Sequence, residues 1–478
     1  FFFTSSKNRY HKAYTLIGSA SFAYMSGTNN WDGGTNPQIY ALNGSDWCNV
    51  PFSESFTNVM PAWLQLKYAH ANGLLSDDIF AVANILKVMS LHRVSDIYGP
   101  LPVLHFGETE NPYNSQEECY MHFFETLDSA IAVLKDVVEN NPDAKPLEEV
   151  DALYHGDYSK WLKLANSVKL RLAMRICYVK PDLAKQYAME AVRDGVMETA
   201  DDSALFQSWG SITIINPLEK IWNGYSDTRM GASMDSYLNG YNDPRLPVYF
   251  QPVTEGDNKG EYRGVANGMP NPQQDDYKAM SAPNVQEKST DSPLRWMMAS
   301  EVAFLRAEGA MRGWTAEMGG TAEEFYNKGI ELSFLENGLS ADAAARYAAD
   351  ETSKPTDFTD VSAANTKYNI SALGKITIKW NAGASEEEQL ERIITQKWIA
   401  MFPNGTEAWS EFRRTGYPLI FPVRSNYPTS GVDTNKQIRR MVFPQSEYSN
   451  NGAAVQEAVK LLGGPDNGGT KLWWDKKN

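Results

Sequence analysis

One pattern recurs along this chain: a segment with helical periodicity, a short breaker, and a second helical segment. The pairs lie near residues 78–140, 158–195, 296–336 and 385–414. Apolar residues recur at i, i+3, i+4 and i+7 in each pair, which is the spacing of one face of an α-helix. A helix hairpin cannot bury that face alone and stacks on its neighbours. The sequence therefore predicts a mainly all-α scaffold of about four tetratricopeptide-like helix hairpins.

Capping residues mark the ends of these segments. Ser115 is followed three residues later by Glu118, which is the capping-box pattern of a helix N-terminus. Ser385 and Glu388 repeat it, and Pro181 opens another helix. The starts of successive pairs are about 80, 140 and 90 residues apart, so the array is not a regular solenoid.

Long irregular insertions separate the pairs. They lie near residues 27–55, 208–292 and 354–375, and they are rich in polar and aromatic residues. Ordered loops of this length usually carry function, so the first two are the expected ligand insertions. Residues 248–253 and 375–380 are strand-like runs that are short enough to make small ladders at most.

Composition excludes several classes of function. The 478 residues carry a formal net charge of -15, whereas nucleic-acid binding depends on basic patches. No run approaches the ~20 apolar residues of a membrane-spanning helix. Cys48, Cys119 and Cys177 are too few and too far apart for a disulfide framework, and we expect them to be buried.

No motif points to catalysis or to a cofactor. A phosphate-binding glycine loop, a zinc H-E-x-x-H motif and a G-x-S-x-G nucleophile elbow are all missing from the sequence. We therefore expect no catalytic residue, no metal and no cofactor. The sequence does not exclude a catalytic pair of carboxylates, because the chain has 59 acidic residues. Loop acids that could form such a pair in space are Asp201, Asp202, Asp275 and Asp276.

Aromatic residues are abundant in the insertions. An aromatic face can stack on a sugar ring while neighbouring amide, carboxylate and guanidinium groups bind its hydroxyls. The predicted ligand-binding residues are Asn29, Trp31, Asp32, Tyr40, Trp47, Trp209, Trp222, Asn223, Tyr225 and Arg229. The alternative for each ring is that it fastens an insertion to the scaffold.

Several segments together resemble the SusD/RagB superfamily, in its branch of nutrient-binding outer membrane lipoproteins. The most specific is QKWIAMFPNGTEAWSEFRRTGYP at residues 396–418, followed by RRMVFPQSEYSNN at 439–451 and GGTKLWWD at 468–475. GDYSKWLKLANSVKLRLAMRI at 156–176 and EVAFLRAEGAMRGW at 301–314 match the repeated helices of that branch.

The resemblance implies one SusD-like domain over residues 1–478, in which a helical scaffold carries the binding loops. It implies a lipid-anchored protein of the outer membrane, exposed at the cell surface, that binds an oligosaccharide or other nutrient without chemistry. Its implied partner is a SusC-like TonB-dependent transporter. The chain starts Phe1-Phe2-Phe3, so a signal peptide and an anchor Cys are expected outside it.

In such a scaffold, the tryptophans and arginines of the family motifs are expected to have structural roles. Trp398 and Trp409 should pack between helices. Arginines 413, 414, 439 and 440 should pair with carboxylates or cap helices.

Two other functions fit the same sequence. A helical-toroid glycosidase or lyase shares the acidity and the aromatic loops, and would need two carboxylates facing each other across a cleft. A protein-binding helical-repeat scaffold shares the hairpins, and would show a broad concave apolar surface.

Overall fold

Helices make up the frame of the protein. The computed structural model describes residues 22–29, 37–42, 46–213, 216, 224–269, 274–284 and 292–477. Its helices up to residue 240 are α1 (Asp46–Glu54), α2 (Met60–Ala71), α3 (Asp77–Tyr98), α4 (Gln116–Asn140), α5 (Tyr158–Arg175), α6 (Pro181–Arg193) and α7 (Ala232–Gly240). They continue with α8 (Leu246–Tyr249), α9 (Gln274–Tyr277), α10 (Ala299–Met311), α11 (Thr315–Met318), α12 (Ala322–Leu335), α13 (Ala341–Ala348), α14 (Glu386–Ala400), α15 (Gly405–Thr415) and α16 (Gln445–Leu462).

The predicted mainly α-helical fold class is confirmed. Helix α3 packs on α4, α4 on α5, α5 on α6, and α10 on α12. The caps found in the sequence form as expected: Glu118 N donates to Ser115 Oγ at 3.2 Å, and Glu388 N donates to Ser385 Oγ at 3.3 Å. Because these signals lie within one helical turn, local sequence is sufficient to place them.

Some local predictions were wrong. Part of the insertion near 27–55 is helix α1, which was hidden by Pro51 inside it, because proline normally interrupts a helix. Residues 248–253 do not form a strand, since Pro247 occupies the first turn of α8. Residues 375–380 lie outside every strand as well.

Two short antiparallel pairs of strands are present in the described ranges. Strand β1 (Met25–Gly27) pairs with β3 (Thr228–Met230), and β2 (Ala204–Phe206) pairs with β4 (Leu294–Met297). In both pairs the two strands are far apart in the sequence, so the pairs connect distant loops.

The interior contains the residues expected there. Trp398 and Trp409 are buried, and so are all three cysteines, which are free thiols. Burial raises the pKa of the Cys48 and Cys119 thiols to about 12, so neither is a reactive thiolate at neutral pH. None of the helices in the described ranges combines the length and the apolar character needed to cross a membrane.

A network of buried ion pairs connects the helix pairs to one another. Arg171 of α5 makes two bonds to Glu301 of α10, both at 2.7 Å. On α15, Arg414 reaches Glu308 of α10 at 2.6 Å and Glu411 at 2.7 Å. The network residues lie in the interior: Asp96, Arg171, Arg175, Glu301, Glu308, Lys397, Glu407, Glu411 and Arg414.

The guanidinium groups keep the buried carboxylates charged. Burial alone would raise the pKa of Glu308, but Arg414 and Arg312 outweigh it and hold the pKa at about 2. Glu407 is likewise held at a pKa of about 2, by Arg175 and Arg171 acting against burial. The expected pairing of arginines holds elsewhere too, since Arg439 binds Asp475 and Arg440 binds Asp466. Arg413 differs, because its guanidinium donates to backbone carbonyl groups and lies 3.6 Å from the centre of the Trp409 ring.

Removal of one partner from this network should destabilise the fold strongly. We expect Arg414→Met to lower the free energy of unfolding by about 3–5 kcal/mol, because Glu308 and Glu411 would each lose a buried counter-charge. The measurement is urea unfolding at pH 7. Lys460→Met, which removes a charge from the exposed Lys460–Glu457 pair, should change it by less than about 1 kcal/mol. Equal effects of the two variants would contradict the importance of the network.

The same network predicts the response to acid. The pKa values of Glu308 and Glu407 are depressed in the fold, so their stabilisation is complete above the unfolded glutamate pKa of about 4.3. It is lost as pH falls from about 4.5 towards 2. Urea unfolding midpoints measured over this pH range should fall steeply as the pH decreases. The fall should be smaller in Glu308→Gln, whereas it should be unchanged in Glu457→Gln. A midpoint that stays constant from pH 5 to pH 3, values roughly bracketing that pKa, would refute this.

Candidate ligand-binding surface

The β1–β3 ladder joins the two loop insertions that the sequence singled out. Its register pairs Met25 with Met230, Ser26 with Arg229, and Gly27 with Thr228. The backbone bond from Thr28 N to Asp227 O, at 2.7 Å, extends the pairing by one position. The insertion near 27–55 and the insertion near 208–292 therefore meet at this ladder.

Polar side chains from other segments fasten the ladder to the frame. Gln38 Oε1 accepts a hydrogen bond from Gly27 N at 2.7 Å, and Asn267 Nδ2 donates to Met25 O at 2.8 Å. Ser26 Oγ donates to Ala266 O at 2.9 Å. A two-stranded ladder is only marginally stable by itself, so these contacts fix its position.

The outer end of the ladder presents a group of polar and aromatic residues. Asn29 and Ser226 are exposed, and each is the next residue beyond the hydrogen bond from Thr28 N to Asp227 O. The Tyr225 side chain is 41% exposed. Asp227 is half-buried, and burial raises the pKa of its carboxyl group. An aromatic ring, an amide, a hydroxyl and a carboxyl group are group types that can contact the face and the hydroxyl groups of a sugar.

Arg229 lies in the same ladder, where its contacts favour a structural role over the predicted role in ligand binding. The residue is 3% exposed. Its guanidinium donates to Lys278 O at 2.6 Å, to Ser226 O at 2.9 Å and to Thr228 O at 2.9 Å. Burial lowers the pKa of this group, although Asp227 acts in the opposite direction. Arg229 therefore holds the loop around Ser226 in place and has its donors already engaged.

The contacts of Tyr40 also favour a structural role over the predicted role in ligand binding. Its side chain is completely buried, and its hydroxyl group donates to Gln437 Oε1 at 2.9 Å. Burial also raises the pKa of this hydroxyl. Tyr40 therefore fastens its insertion to the C-terminal part of the chain and offers no ring face to a ligand.

Trp209 lies at a different place from the ladder. Its ring stacks on His155 with ring centres 3.4 Å apart, and its Nε1 donates to Glu148 O at 2.5 Å. Its backbone forms a bridge with Ile212. One face of this half-buried ring is already covered, so the described contacts favour a role in fastening the segment around residue 209.

The other predicted residues are not placed. Trp31, Asp32, Trp222 and Asn223 lie outside the described residues, as does the side chain of Trp47, whose backbone belongs to α1. They stay predictions. Of the predicted set, Arg229 belongs to the ladder, and Asn29 and Tyr225 lie close to its end in sequence. Ser226 lies there too, and sequence reasoning did not select it, because a serine in a polar loop carries no distinguishing signal.

Among the acidic candidates, Asp202 has a structural role and Asp201, Asp275 and Asp276 are exposed. Asp202 is buried and accepts hydrogen bonds from the backbone of Glu198 and Thr199, so it closes a turn. Asp275 and Asp276 are exposed on α9. No group of three or more histidine, cysteine or acidic side chains suited to a metal ion occurs within the described ranges.

Comparison with known proteins identifies the family. The model of the family described as SusD-like, "Susd and RagB outer membrane lipoprotein", matches residues 1–475. The chain belongs to this SusD-like family. Among curated proteins no match was found.

Solved structures of SusD-like proteins are similar along nearly the whole chain. A chitin-binding SusD homolog from Flavobacterium johnsoniae is 38% identical with a TM-score of 0.92, and the match covers 99% of this chain and 96% of that one. A SusD-like protein from Bacteroides thetaiotaomicron is 37% identical with a TM-score of 0.90, covering 99% and 98%. A SusD homolog from Bacteroides vulgatus is 32% identical with a TM-score of 0.91, covering 99% and 94%.

The role assigned to Arg229 can be tested by hydrogen exchange. In Arg229→Met, backbone amides at residues 226–230 and 278–281 should exchange faster, because the carbonyl groups of Ser226 and Lys278 lose their donor. Lys278→Met should leave exchange unchanged, since only the backbone carbonyl of Lys278 takes part. Unchanged exchange in Arg229→Met would show that the guanidinium does not hold this loop.

Proposed function

We propose that this SusD-like protein is a non-catalytic, cell-surface glycan-binding protein that delivers its ligand to a SusC-like TonB-dependent outer-membrane transporter. The main support is the β1–β3 ladder, where the two loop insertions meet and next to which the exposed residues Asn29, Tyr225 and Ser226 follow in the chain. The family description as an outer membrane lipoprotein supports a lipid-anchored position at the cell surface.

The exposed ladder end suits a sugar better than an apolar ligand. Sugar rings have one apolar C–H face, which an aromatic ring such as Tyr225 can cover, and hydroxyl groups that need hydrogen-bond partners at the edges. Asn29 can donate and accept, while the Asp227 carboxyl accepts when ionised. The loop beneath is held by Arg229 and Gln38, so ligand binding would not have to order it first.

Oligomers of N-acetylglucosamine are the first ligand class to test. The Flavobacterium johnsoniae relative, at 38% identity, is a chitin-binding SusD homolog. Similarity at this level supports a shared kind of ligand for this chain, and a panel that also contains starch, xylan and mannan oligosaccharides would distinguish the other glycans.

Tyr225 gives the sharpest test of this binding surface. Tyr225→Ala should weaken binding of the preferred oligosaccharide about tenfold by isothermal titration calorimetry, because it removes the stacking face. Tyr68→Ala is the matched control, since Tyr68 is 53% exposed on α2 and lies outside both insertions, and it should bind like wild type.

Two results would contradict the proposal. If no glycan in the panel binds, or if Tyr225→Ala binds like wild type, the ladder end is not the binding surface. New reducing ends produced by the purified protein from a bound glycan would favour the glycosidase alternative. The transporter part is tested separately, by co-purification with a SusC-like protein from the same membrane.

A further inference from the structure

A concave site lies between α2, α3 and the turn at residues 147–153. It is a cavity of about 470 Å³, within the range of about 300–1,000 Å³ that small-molecule sites occupy. Its wall is mostly aliphatic and aromatic, with the indole rings of Trp63, Trp161 and Trp296 among the lining groups. Leu66, which is 37% exposed, and Val150, which is 60% exposed, border it.

The wall contains one buried cation that has no acidic partner. Lys87 of α3 lines the cavity and is 3% exposed. Its Nζ lies 4.0 Å from the centre of the Trp63 ring and 3.2 Å from His122 Nε2. No carboxylate of the described residues forms an ion pair with it, whereas the other fully buried lysines, Lys169 and Lys397, both have acidic partners.

The surroundings of Lys87 disfavour the charged form of its amino group. Burial lowers its pKa to about 7, and the charge of Lys67 acts in the same direction. Burial also lowers the pKa of His122 to about 4, so the imidazole is neutral at pH 7 and can accept a hydrogen bond from the ammonium group. A buried ammonium with only a neutral acceptor and an aromatic face gains most from a bound anion.

Three other polar side chains of the wall, those of Asp151, Trp161 and Trp63, are engaged in hydrogen bonds. Asp151 accepts hydrogen bonds from Leu153 N at 2.9 Å, from Gly156 N at 2.9 Å and from Trp161 Nε1 at 2.8 Å. Trp63 Nε1 donates to Asn84 Oδ1 at 2.9 Å. Among the described residues that line the cavity, Lys87 is therefore the one cationic side chain that a ligand could contact.

We propose that this cavity is a second binding site, for a small apolar monocarboxylate whose anionic group pairs with Lys87 while its hydrocarbon part fills the apolar wall. The charge of Lys87 and the apolar lining together favour this occupant over a glycan, whose hydroxyl groups would lose their partners here. The site is independent of the function proposed for the ladder.

Titration calorimetry with sodium octanoate and the uncharged 1-octanol separates the two features of the site. Lys87→Met should weaken octanoate binding roughly tenfold or more, because a charge-assisted contact is lost. Octanol affinity should change by less than about twofold, since Met keeps the apolar wall. Ala62→Trp, at the half-buried cavity lining, should weaken both ligands. Lys460→Met removes an exposed charge elsewhere and should weaken neither.

A charge series on the wild-type protein gives a test that needs no variant. Octanoate should bind more tightly than octanol, and octanol more tightly than octylammonium. Thermal unfolding and oligosaccharide binding of each variant serve as controls for folding. The proposal is overturned if wild type binds neither octanoate nor octanol, if Lys87→Met keeps wild-type octanoate affinity, or if octylammonium binds best. Self-association that Ala62→Trp abolishes, without octanoate binding, would instead assign this face to a second copy of the chain.

Discussion

The fold depends on a buried network of arginines and carboxylates. Arg175 of α5 contacts Asp96 of α3 and both Glu407 and Glu411 of α15, so one guanidinium connects three helices. A charge left unpaired in the interior costs far more than a formed pair contributes. Any slip of one helix pair against another would leave such a charge without its partner. The network therefore specifies one arrangement of the helix pairs, and the apolar core fills the space around it.

Because the helical frame is fixed by its own interactions, the inserted loops can be polar and irregular. Part of the 208–292 insertion forms a smaller hydrophobic cluster of its own, which includes Val253, Val265 and Tyr277, and polar contacts fasten the insertions to the frame. The β1–β3 ladder, Gln38, Asn267 and the buried guanidinium of Arg229 provide these contacts. The result is a polar surface that is fastened to the helical frame.

The sequence predicted what is encoded locally and failed where distant contacts decide. The caps at Ser115 and Ser385 and the helical periodicity depend on neighbouring residues, and the fold class followed from them. Tyr40 and Tyr225 are the same residue type in similar polar loops, yet one is fully buried and the other is 41% exposed. The difference depends on Gln437, which is 397 positions from Tyr40 and could not be paired with it from sequence. Strand β1, only three residues long, carries no alternating pattern that could reveal the ladder.

Hydrogen exchange of the whole protein with and without a saturating oligosaccharide tests the central claim most directly. If the helix pairs are an inert frame and the insertions bind the ligand, protection should increase at residues 24–29 and 224–230. The amides of α3, α5, α10 and α14 should exchange at the same rate in both samples. Protection gained along those helices, with none at the ladder, would show that the helical frame binds the ligand and would contradict the account.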